Sequence, residues 1–294
     1  MTAGRGPALV LVATPIGNLG DLSPRAIEEL TKADAIACED TRRTGRLLEH
    51  AGVPRRPLLV VNDHTESAAV PGILERLARG ERVAVVTDAG TPGISDPGEQ
   101  LVAAASAAGH AIEVVPGPSA LVTALVVSAL PAGRFVFGGF LPRKGSGRTE
   151  RLAELAGERR TMVLYEAPHR LARTLTDLAT VIEGSRPVAF ARELTKLHEE
   201  IWRGTLTEAI ARCDAVEPRG EYVLVVGGAP ATAEATDDEV RAALDGARAR
   251  GASTKDAVAE VADRLGVAKK RAYALATASD GADRLDRPDP SVRS

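Results

Sequence analysis

The feature that most constrains the fold is a short apolar run that ends in a loop of glycines and prolines. Val83, Val85 and Val86 belong to the run, and residues 88–98 follow as Asp-Ala-Gly-Thr-Pro-Gly-Ile-Ser-Asp-Pro-Gly. A short, unbroken apolar run is typical of a parallel strand that is covered on both faces. Ligands of such sheets lie beyond the carboxyl ends of the strands. We therefore expect Asp88, which follows the strand, to stand at a binding edge and to accept hydrogen bonds from amine or hydroxyl groups.

A second unit of the same kind follows in the chain. Residues 111–115 (Ala-Ile-Glu-Val-Val) predict a strand, and residues 116–120 (Pro-Gly-Pro-Ser-Ala) lead into a helix expected from Leu121 to Leu130. Ser119 or the residues before it would cap this helix and leave amide N–H groups that suit a carboxylate or a phosphate. Either loop alone is compatible with an ordinary turn between strand and helix. Two of them in one short span favour a binding site.

The same alternation begins at the N-terminus. Residues 8–12 predict the first strand, and the loop 13–21 precedes a helix that Ser23 caps, with Pro24 at its first position. Further strands are expected at residues 35–38 and 58–61. Strands that alternate with helices indicate an α/β fold with a parallel sheet.

The second half of the chain repeats strands with charged ends. Strands are expected at residues 162–165, 188–191, 201–204 and 220–226, and the extended, glycine-interrupted segment 134–141 is interpreted as the crossover between domains. Two sheets that face each other would hold a ligand in the cleft between them.

These patterns predict two α/β domains, at residues 1–131 and 132–230, with the ligand cleft between them. Residues 231–279 then predict a small domain of three helices, in which Ser253 is an N-cap and Gly266 a stop. Its second and third helices resemble a helix-turn-helix. Residues 280–294 have the composition of a disordered tail.

Composition excludes several classes of protein. The 294 residues carry a net charge of −3 and are 44% hydrophobic, and only 3% are aromatic, which argues against recognition of nucleic acid by stacking platforms. The two cysteines, Cys38 and Cys213, have no CxxC or histidine-rich company, so neither a metal site nor a disulfide framework is expected. No signal peptide and no apolar run of membrane-spanning length is evident, which predicts a cytoplasmic protein without a membrane partner.

Several clusters of cations have two interpretations. Arg42 and Arg43 follow the strand at residues 35–38 and form either a surface ion-pair cluster with Glu39 and Asp40 or a phosphate-binding group that these acids orient. His64 ends another strand and is either a base that acts near neutral pH or a solvated loop residue.

The loop after the crossover and the last helix are also basic. The glycine-hinged loop with Arg143, Lys144 and Arg148 suits binding of a phosphate chain, although solvated loops are often basic. Lys269, Lys270 and Arg271 would lie on the presumed recognition helix.

Five blocks of sequence together closely resemble one known family. They comprise residues 13–26 (Ala-Thr-Pro-Ile-Gly-Asn-Leu-Gly-Asp-Leu-Ser-Pro-Arg-Ala), residues 39–44 (Glu-Asp-Thr-Arg-Arg-Thr), residues 87–98, residues 116–120 and residues 165–170 (Tyr-Glu-Ala-Pro-His-Arg). The family is the ribosomal RNA small subunit methyltransferase I group of the tetrapyrrole methylase superfamily, and the resemblance covers residues 8–277. Tetrapyrrole-modifying members carry a Gly-x-Gly-Pro-Gly-Asp first loop where this chain has Thr-Pro-Ile-Gly-Asn, which favours RNA as the acceptor.

The resemblance implies a function and a set of site residues. It implies 2′-O-methylation of a decoding-centre cytidine of 16S rRNA in the small ribosomal subunit, with S-adenosyl-L-methionine as donor and a homodimer as the assembly. Residues implied to hold the donor are Pro15, Gly17, Asp88, Ala89, Gly90, Thr91, Pro116, Gly117, Ser119, Ala120, Tyr165, Leu194 and Glu221. Residues implied to face RNA are Arg42, Arg43, His64, Arg143, Lys144, Arg148, Lys269, Lys270 and Arg271.

The group that takes the hydroxyl proton stays open at this stage. Asp88, Glu166 and His169 are the first candidates, with Glu39 and His64 behind them, and each also has a structural interpretation. Two rival functions remain: methylation of a tetrapyrrole or other small acceptor, and a non-catalytic RNA-binding assembly factor. A nucleotide-binding dehydrogenase is disfavoured because no GxGxxG follows the first strand.

Overall fold

The computed structural model describes residues 6–230 and 235–285, with backbone only for residues 279–285. These residues divide into two units between Ala229 and Pro230. The first unit holds both sheets, whereas the sequence suggested a domain boundary at residue 131. Within the described part of the chain, no helix is both long and apolar enough to cross a membrane.

The first sheet has five parallel strands in the order β3-β2-β4-β1-β5. Its strands are β1 (Ala8–Val12), β2 (Ala35–Cys38), β3 (Leu58–Val60), β4 (Arg82–Val85) and β5 (Ile112–Val115). Strands β2 and β4 are buried along their whole length, because apolar clusters cover the sheet on both faces. The predicted parallel, doubly covered α/β sheet is confirmed.

Four helices follow the first four strands. They are α1 (Pro24–Lys32), α2 (Thr41–His50), α3 (Glu66–Ala78) and α4 (Glu99–Ala107). As predicted, Ser23 caps α1, accepting a hydrogen bond from the Ala26 amide at 3.1 Å. Helix α2 was not expected, because its first turn was interpreted only as a charged loop. Asp40 starts this helix by accepting hydrogen bonds from the amides of Arg42 and Arg43.

The second sheet is mixed. Its strands are β6 (Phe135–Phe140), β7 (Thr161–Glu166), β8 (Pro187–Arg192), β9 (Glu200–Thr205) and β10 (Tyr222–Val226), in the order β6-β7-β10-β8-β9. Only the β6 and β7 pair is parallel. The expected crossover segment is thus itself an edge strand, with a bulge at Gly138, where a Cβ would lie 2.4 Å from Leu164 Cδ2. Helices α6 (Ser146–Ala156), α7 (Pro168–Ala179) and α8 (Leu206–Ala215) cover one face.

Helix α5 (Ala120–Val127) belongs in sequence to the first half but packs on the second sheet. Its residues Ala124 and Leu125 are buried together with Val163, Ala189 and Val223. Helix α5 contacts β7, β8 and β10, so an element from the first half of the chain is part of the core of the second sheet. This packing explains why both sheets belong to one unit.

The second unit consists of three helices, α9 (Asp237–Ala249), α10 (Thr254–Leu265) and α11 (Lys269–Leu285). As predicted, Ser253 caps α10 and Gly266 ends it with a φ of 64°. Val240, Leu244 and Val261 are fully buried in its core. Helix α11 extends to Leu285, so the first residues of the expected tail are helical, and residues 286–294 lie outside the described residues.

Candidate functional site

A cavity of about 300 Å³ lies at the carboxyl ends of the first sheet, against the second sheet. Loops after β1, β4 and β5 form one wall, and residues after β7, β8 and before β10 form the other. The lining includes eight of the residues implied to hold the donor, namely Ala89, Gly90, Thr91, Ser119, Ala120, Tyr165, Leu194 and Glu221. The fold therefore brings together residues that are up to 132 positions apart in the chain, from Ala89 to Glu221.

Hydrogen bonds hold the three loops of the first wall together. Thr14 and Gly90 exchange two backbone hydrogen bonds, at 2.8 and 3.1 Å. The Thr91 hydroxyl donates to the Pro118 carbonyl at 3.3 Å. Gly90 has a φ of 88°, which a side chain would disfavour. The glycine-rich sequences thus build one continuous backbone surface beside the cavity.

Two glycines implied to hold the donor stand where packing leaves no room for a side chain. A Cβ on Gly17 would lie 2.5 Å from Lys196 Cγ, and a Cβ on Gly117 would lie 2.9 Å from Ala13 Cβ. Neither residue lines the cavity, and Pro15 and Pro116 do not line it either. Ser119 does line it and stands at the N-cap position of α5, but its hydroxyl accepts no cap hydrogen bond, contrary to expectation.

Strained backbone surrounds the cavity. Ser95, Glu193 and Thr195 have φ values of 60°, 48° and 63°, a region that residues other than glycine rarely adopt. Ser95 lines the cavity itself, and the other two flank Leu194. Conformations of this kind persist only where the surroundings enforce them, and they concentrate at functional sites.

Asp88 stands at the carboxyl edge of β4, as predicted, and forms an ion pair with Arg43 at 3.1 Å. Its other oxygen, Oδ1, is buried and has no hydrogen-bond partner among the described residues. Arg43 was assigned to RNA by resemblance, and in the structure it neutralises this carboxylate. Asp88 itself does not line the cavity, although the next residue, Ala89, does.

Asp96 also lines the cavity, although it was not among the site residues predicted from the sequence. Burial and the negative charge of Glu39 raise the pKa of Asp96 to about 7, with smaller contributions from Asp63 and Asp88, while a hydrogen bond from Thr87 opposes them. The pKa of Glu39 is also raised, chiefly by burial. In the sequence, Asp96 stood out only as a second acid in the glycine-rich loop. Only the fold shows that it is partly buried near other acids.

Glu166 lines the cavity, but both of its oxygens have internal partners. The Thr174 hydroxyl donates to Oε2 at 2.6 Å, the Ala167 amide donates to Oε1 at 2.9 Å, and Arg170 pairs with Oε1 at 3.1 Å. His169 is exposed and lines a different cavity. The structure thus separates two candidates that are only three residues apart.

That different cavity, of about 340 Å³, is basic. It is lined by Arg143, Arg148, His169, Arg170, Arg173 and Thr174. Arg148 is only 5% exposed, and its guanidinium donates to Asp177, to the Pro142 carbonyl and to the Thr174 hydroxyl. This side chain fastens α6 to α7, and the RNA-facing role that the resemblance implies for it stays a prediction.

The other predicted cations are distributed over several surfaces. Arg42, His64 and Lys144 are exposed beside the first unit's loops, and Lys269 and Lys270 are exposed in the second unit. Arg271 pairs with Asp237 at 2.7 Å and donates to the Ala235 carbonyl, so it joins α11 to the start of α9.

A further cavity, of about 430 Å³, lies among residues of β8, β9, β10, α7 and α8. Its three arginines already have acidic partners: Arg192 and Arg212 pair with Glu200, and Arg219 pairs with Glu217. It contains none of the glycine-rich loops. The cavity between the two sheets is therefore the better candidate for the functional site.

Two facing sheets with a cavity at their strand ends are an architecture that this chain shares with a family of methylases. Residues 8–210 match the family described as Tetrapyrrole (Corrin/Porphyrin) Methylases, and the chain belongs to this family.

Curated relatives place the chain more narrowly. Proteins named ribosomal RNA small subunit methyltransferase I are 45% identical in Synechocystis sp., over 91% of this chain and 96% of the relative, and 52% identical in Xylella fastidiosa, over 75% and 81%. The Pseudomonas aeruginosa relative is 42% identical over 96% of this chain and 99% of its own length. The chain belongs to this group, as the five sequence blocks predicted.

Solved structures agree on the fold. Uroporphyrin-III-C-methyltransferase from Thermus thermophilus matches with a TM-score of 0.55 and 21% identity, over 75% of this chain and 94% of that chain. The methyltransferase CobJ matches with a TM-score of 0.59 and 25% identity, over 76% and 95%. The predicted fold of two α/β halves with a helical C-terminal part is confirmed.

The predicted donor, S-adenosylmethionine, agrees with membership of this methylase family. The residues present fit such a molecule. Apolar side chains of Ile16, Tyr165 and Leu194 offer contact for a flat ring. Asp96 lies in the same cavity, and acidic groups suit the positively charged sulfur. The buried, unpartnered Asp88 Oδ1 beside Ala89 is an acceptor that a ligand can satisfy.

Proposed function

We propose that this protein transfers a methyl group from S-adenosylmethionine to the ribose 2′-hydroxyl of a decoding-centre cytidine in the 16S rRNA of the small ribosomal subunit. The observation that carries the proposal is the 42–52% identity, over most of the chain, to proteins named ribosomal RNA small subunit methyltransferase I. The chain is accordingly an enzyme, a methyltransferase that uses S-adenosylmethionine.

The cavity between the sheets is the proposed donor site. The Ala89–Thr91 segment and Ala120 line this cavity and would contact the donor. Tyr165 and Leu194 would pack against its apolar parts. Glu221, whose carboxylate is 78% exposed and pairs with Lys196 at 2.8 Å, would accept hydrogen bonds at the rim.

The basic cavity next to this site supports an RNA acceptor. Arg143 and Arg173 are exposed, and Arg173 shares Asp177 with Arg148 at a long 3.7 Å, which leaves its charge poorly compensated. A recess with several guanidinium groups suits a phosphate of the RNA backbone. A small acceptor would not need this recess.

The reaction depends mainly on how the protein positions the donor and the acceptor. S-adenosylmethionine supplies a methyl group on a positively charged sulfur. The protein then has to align the ribose oxygen with that carbon, exclude water and accept one proton. The rigid loops on one wall and the β7 and β10 residues on the other provide the alignment, since both stand on strand ends.

The deciding experiment is methyl transfer from labelled S-adenosylmethionine to small subunits that lack the modification. We expect one labelled cytidine, and its ribose should resist alkaline cleavage because 2′-O-methylation removes the attacking hydroxyl. If the donor binds but no subunit is labelled, a tetrapyrrole or other small acceptor replaces RNA in the proposal. If the donor does not bind, the assembly-factor alternative replaces it.

We also propose a homodimer in the cytoplasm, where the small subunit is available. Support comes from exposed apolar side chains: Val114 on the edge strand β5 is 58% exposed, and Val122 and Val126 on α5 are 50% and 70% exposed. Light scattering on the eluting protein tests the dimer, and Val126→Glu should make it a monomer.

A further inference from the structure

The cavity of about 430 Å³ on the second sheet gathers aromatic rings, and we call it the aromatic cavity. The chain has one tryptophan, three tyrosines and four phenylalanines, and one of each type lines this cavity: Trp202, Tyr222 and Phe190. Phe190 and Trp202 are partners across β8 and β9, and their rings stack with centroids 4.9 Å apart. Tyr222 meets Phe190 edge to face, at 6.0 Å. A wall of three rings favours a ligand with a flat, unsaturated ring.

Packing fixes the tryptophan ring in this wall. A Cβ on Gly204, two residues further along β9, would lie 2.7 Å from Trp202 Cζ2 and Cη2. The glycine therefore leaves room for the indole ring, and the buried Phe190 supports it from the neighbouring strand. Trp202 itself is only partly buried. A ring that is already held in place loses little conformational freedom when a ligand stacks on it.

Arginines outnumber carboxylates around the aromatic cavity. The lining contains Arg192, Arg212 and Arg219 and only two acids, Glu200 and Glu217. Arg192 reaches Glu200 at a long 3.5 Å and shares it with Arg212. Arg219 pairs with Glu217 at 2.9 Å, and their side chains are 78% and 77% exposed. An exposed pair of this kind contributes little stability, so a phosphate can take over the guanidinium.

We propose that the aromatic cavity is a second ligand site, which binds one unpaired nucleotide of RNA. The base would stack at the Trp202 wall, and a phosphate would pair with Arg219. The volume lies within the range of small-ligand pockets, about 300–1,000 Å³. This site goes beyond the proposed function, because nucleotide binding there needs neither the donor nor methyl transfer.

The acceptor RNA is the expected source of the nucleotide. Tyr222 lines both the aromatic cavity and the donor cavity, so the two cavities are neighbours. A free nucleotide has the same chemistry, a flat base with a phosphate, and the experiment has to distinguish the two sources.

Trp202 is the only tryptophan of the chain, so its fluorescence reports on the aromatic cavity directly. The test titrates the full chain, without donor, with single-stranded hexacytidylate and with cytidine monophosphate. We expect saturable quenching by hexacytidylate and weaker binding of the monophosphate. Equal affinities would make a free nucleotide the ligand of the site.

Cys213 gives an independent measurement. It lines the aromatic cavity and is partly exposed, whereas Cys38 is buried. At a hexacytidylate concentration ten times its Kd, alkylation of Cys213 by iodoacetamide should slow by about tenfold, because only the free protein reacts. Mass spectrometry of the modified peptide measures this rate separately from that of Cys38.

Arg219→Ala should weaken hexacytidylate binding by about tenfold, because a charge-assisted contact to the phosphate is lost. Arg79→Ala is the matched control. Arg79 is also exposed and paired with a glutamate, Glu81, at 3.0 Å, but it does not line the aromatic cavity. Its removal should leave the affinity unchanged.

Two results would overturn the proposed site. If neither ligand quenches Trp202 or protects Cys213, the aromatic cavity binds no nucleotide. If Arg219→Ala and Arg79→Ala weaken binding equally, the attraction comes from general charge and not from this cavity. Methyl transfer to small subunits is measured separately, so failure of this site and failure of the proposed function are distinguishable.

Discussion

The Asn18 amide donates a hydrogen bond to Thr195 Oγ1 at 3.0 Å, which joins the loop after β1 to the loop after β8. The two residues are 177 positions apart. The contact closes one end of the cleft, and Gly17 lies directly beneath it, within reach of Thr195 and Lys196.

Gly17→Ala should open this end of the cleft. The new Cβ would lie 2.5 Å from Lys196 Cγ and 2.9 Å from the Leu194 carbonyl oxygen, so the loops have to separate. We expect a loss of about 1–3 kcal/mol in the free energy of unfolding, together with weaker binding of S-adenosylmethionine, both measurable by denaturant titration and calorimetry.

Gly72→Ala is the matched control, because a Cβ there meets nothing within 4 Å in helix α3. It should raise stability by about 0.5–1 kcal/mol. Equal effects of the two substitutions would show that the clash at Gly17 relaxes at no cost.

Glu66 should stabilise the loop that carries Asp96. A single oxygen, Oε1, accepts from the amides of Gly98 and Leu101 at the start of α4, at 2.9 and 3.1 Å. Glu66→Ala leaves two buried donors unsatisfied, each at about 1–3 kcal/mol. Glu66→Gln keeps an acceptor in the same position and loses only the charge, about 0.3–1 kcal/mol. This account would be contradicted if urea unfolding showed the same loss in the free energy of unfolding for Glu66→Ala and Glu66→Gln.

Arg82 forms the most buried ion-pair network of the first sheet. Its guanidinium pairs with Glu29 at 2.7 Å and Glu113 at 2.9 Å, and its side chain is only 9% exposed. Arg82→Ala should lower the free energy of unfolding by about 3–5 kcal/mol, because it removes the cation that pairs with the buried Glu29 carboxylate. Arg219→Ala removes a pair with Glu217 that is exposed on both sides, and should cost about 0–1 kcal/mol. The prediction fails if Arg82→Ala and Arg219→Ala shift the unfolding midpoint by the same amount.

Arg143, which lines the basic cavity, and Lys144, the next residue of the same loop, should bind RNA through phosphates. Replacing both Arg143 and Lys144 by Ala should weaken binding to small subunits and reduce the slope of log affinity against log salt concentration by about 1 for each residue. Donor affinity should stay unchanged, since neither residue lines the donor cavity. A filter-binding series at several salt concentrations measures this. An unaltered slope would remove these two residues from the RNA surface.

The raised pKa of Asp96 predicts a pH dependence of stability. Because the folded-state pKa is about 7 and the ordinary value is 3.8, the native state holds an extra proton between these limits. Stability attributable to Asp96 therefore falls as pH rises through this window. Asp96→Asn cannot ionise, so it should gain stability relative to wild type above neutral pH and lose that advantage in acid. This prediction is disproved if the difference in thermal stability between Asp96→Asn and wild type is the same at every pH.

Local sequence predicted the strands and the caps well. The runs at residues 8–12 and 35–38 match β1 and β2 to the residue, because a buried parallel strand needs an unbroken apolar run. Ser23, Ser253 and Gly266 act as expected, because caps depend on groups within one helical turn. Helix α2 was missed, because its polar sequence has the composition of a loop and depends on the Asp40 cap.

The sequence by itself determined the α/β class, the glycine-rich loops at the strand ends and the family. These depend on period, composition and contiguous motifs, all of which are local. Only the tertiary structure decided that α5 covers the second sheet, that Arg148 is buried between two helices, and that Gly17 serves a contact between loops. It also decided that Asp96 is partly buried near other acids, because burial and charge pairing depend on residues that are distant in the chain and meet only on folding.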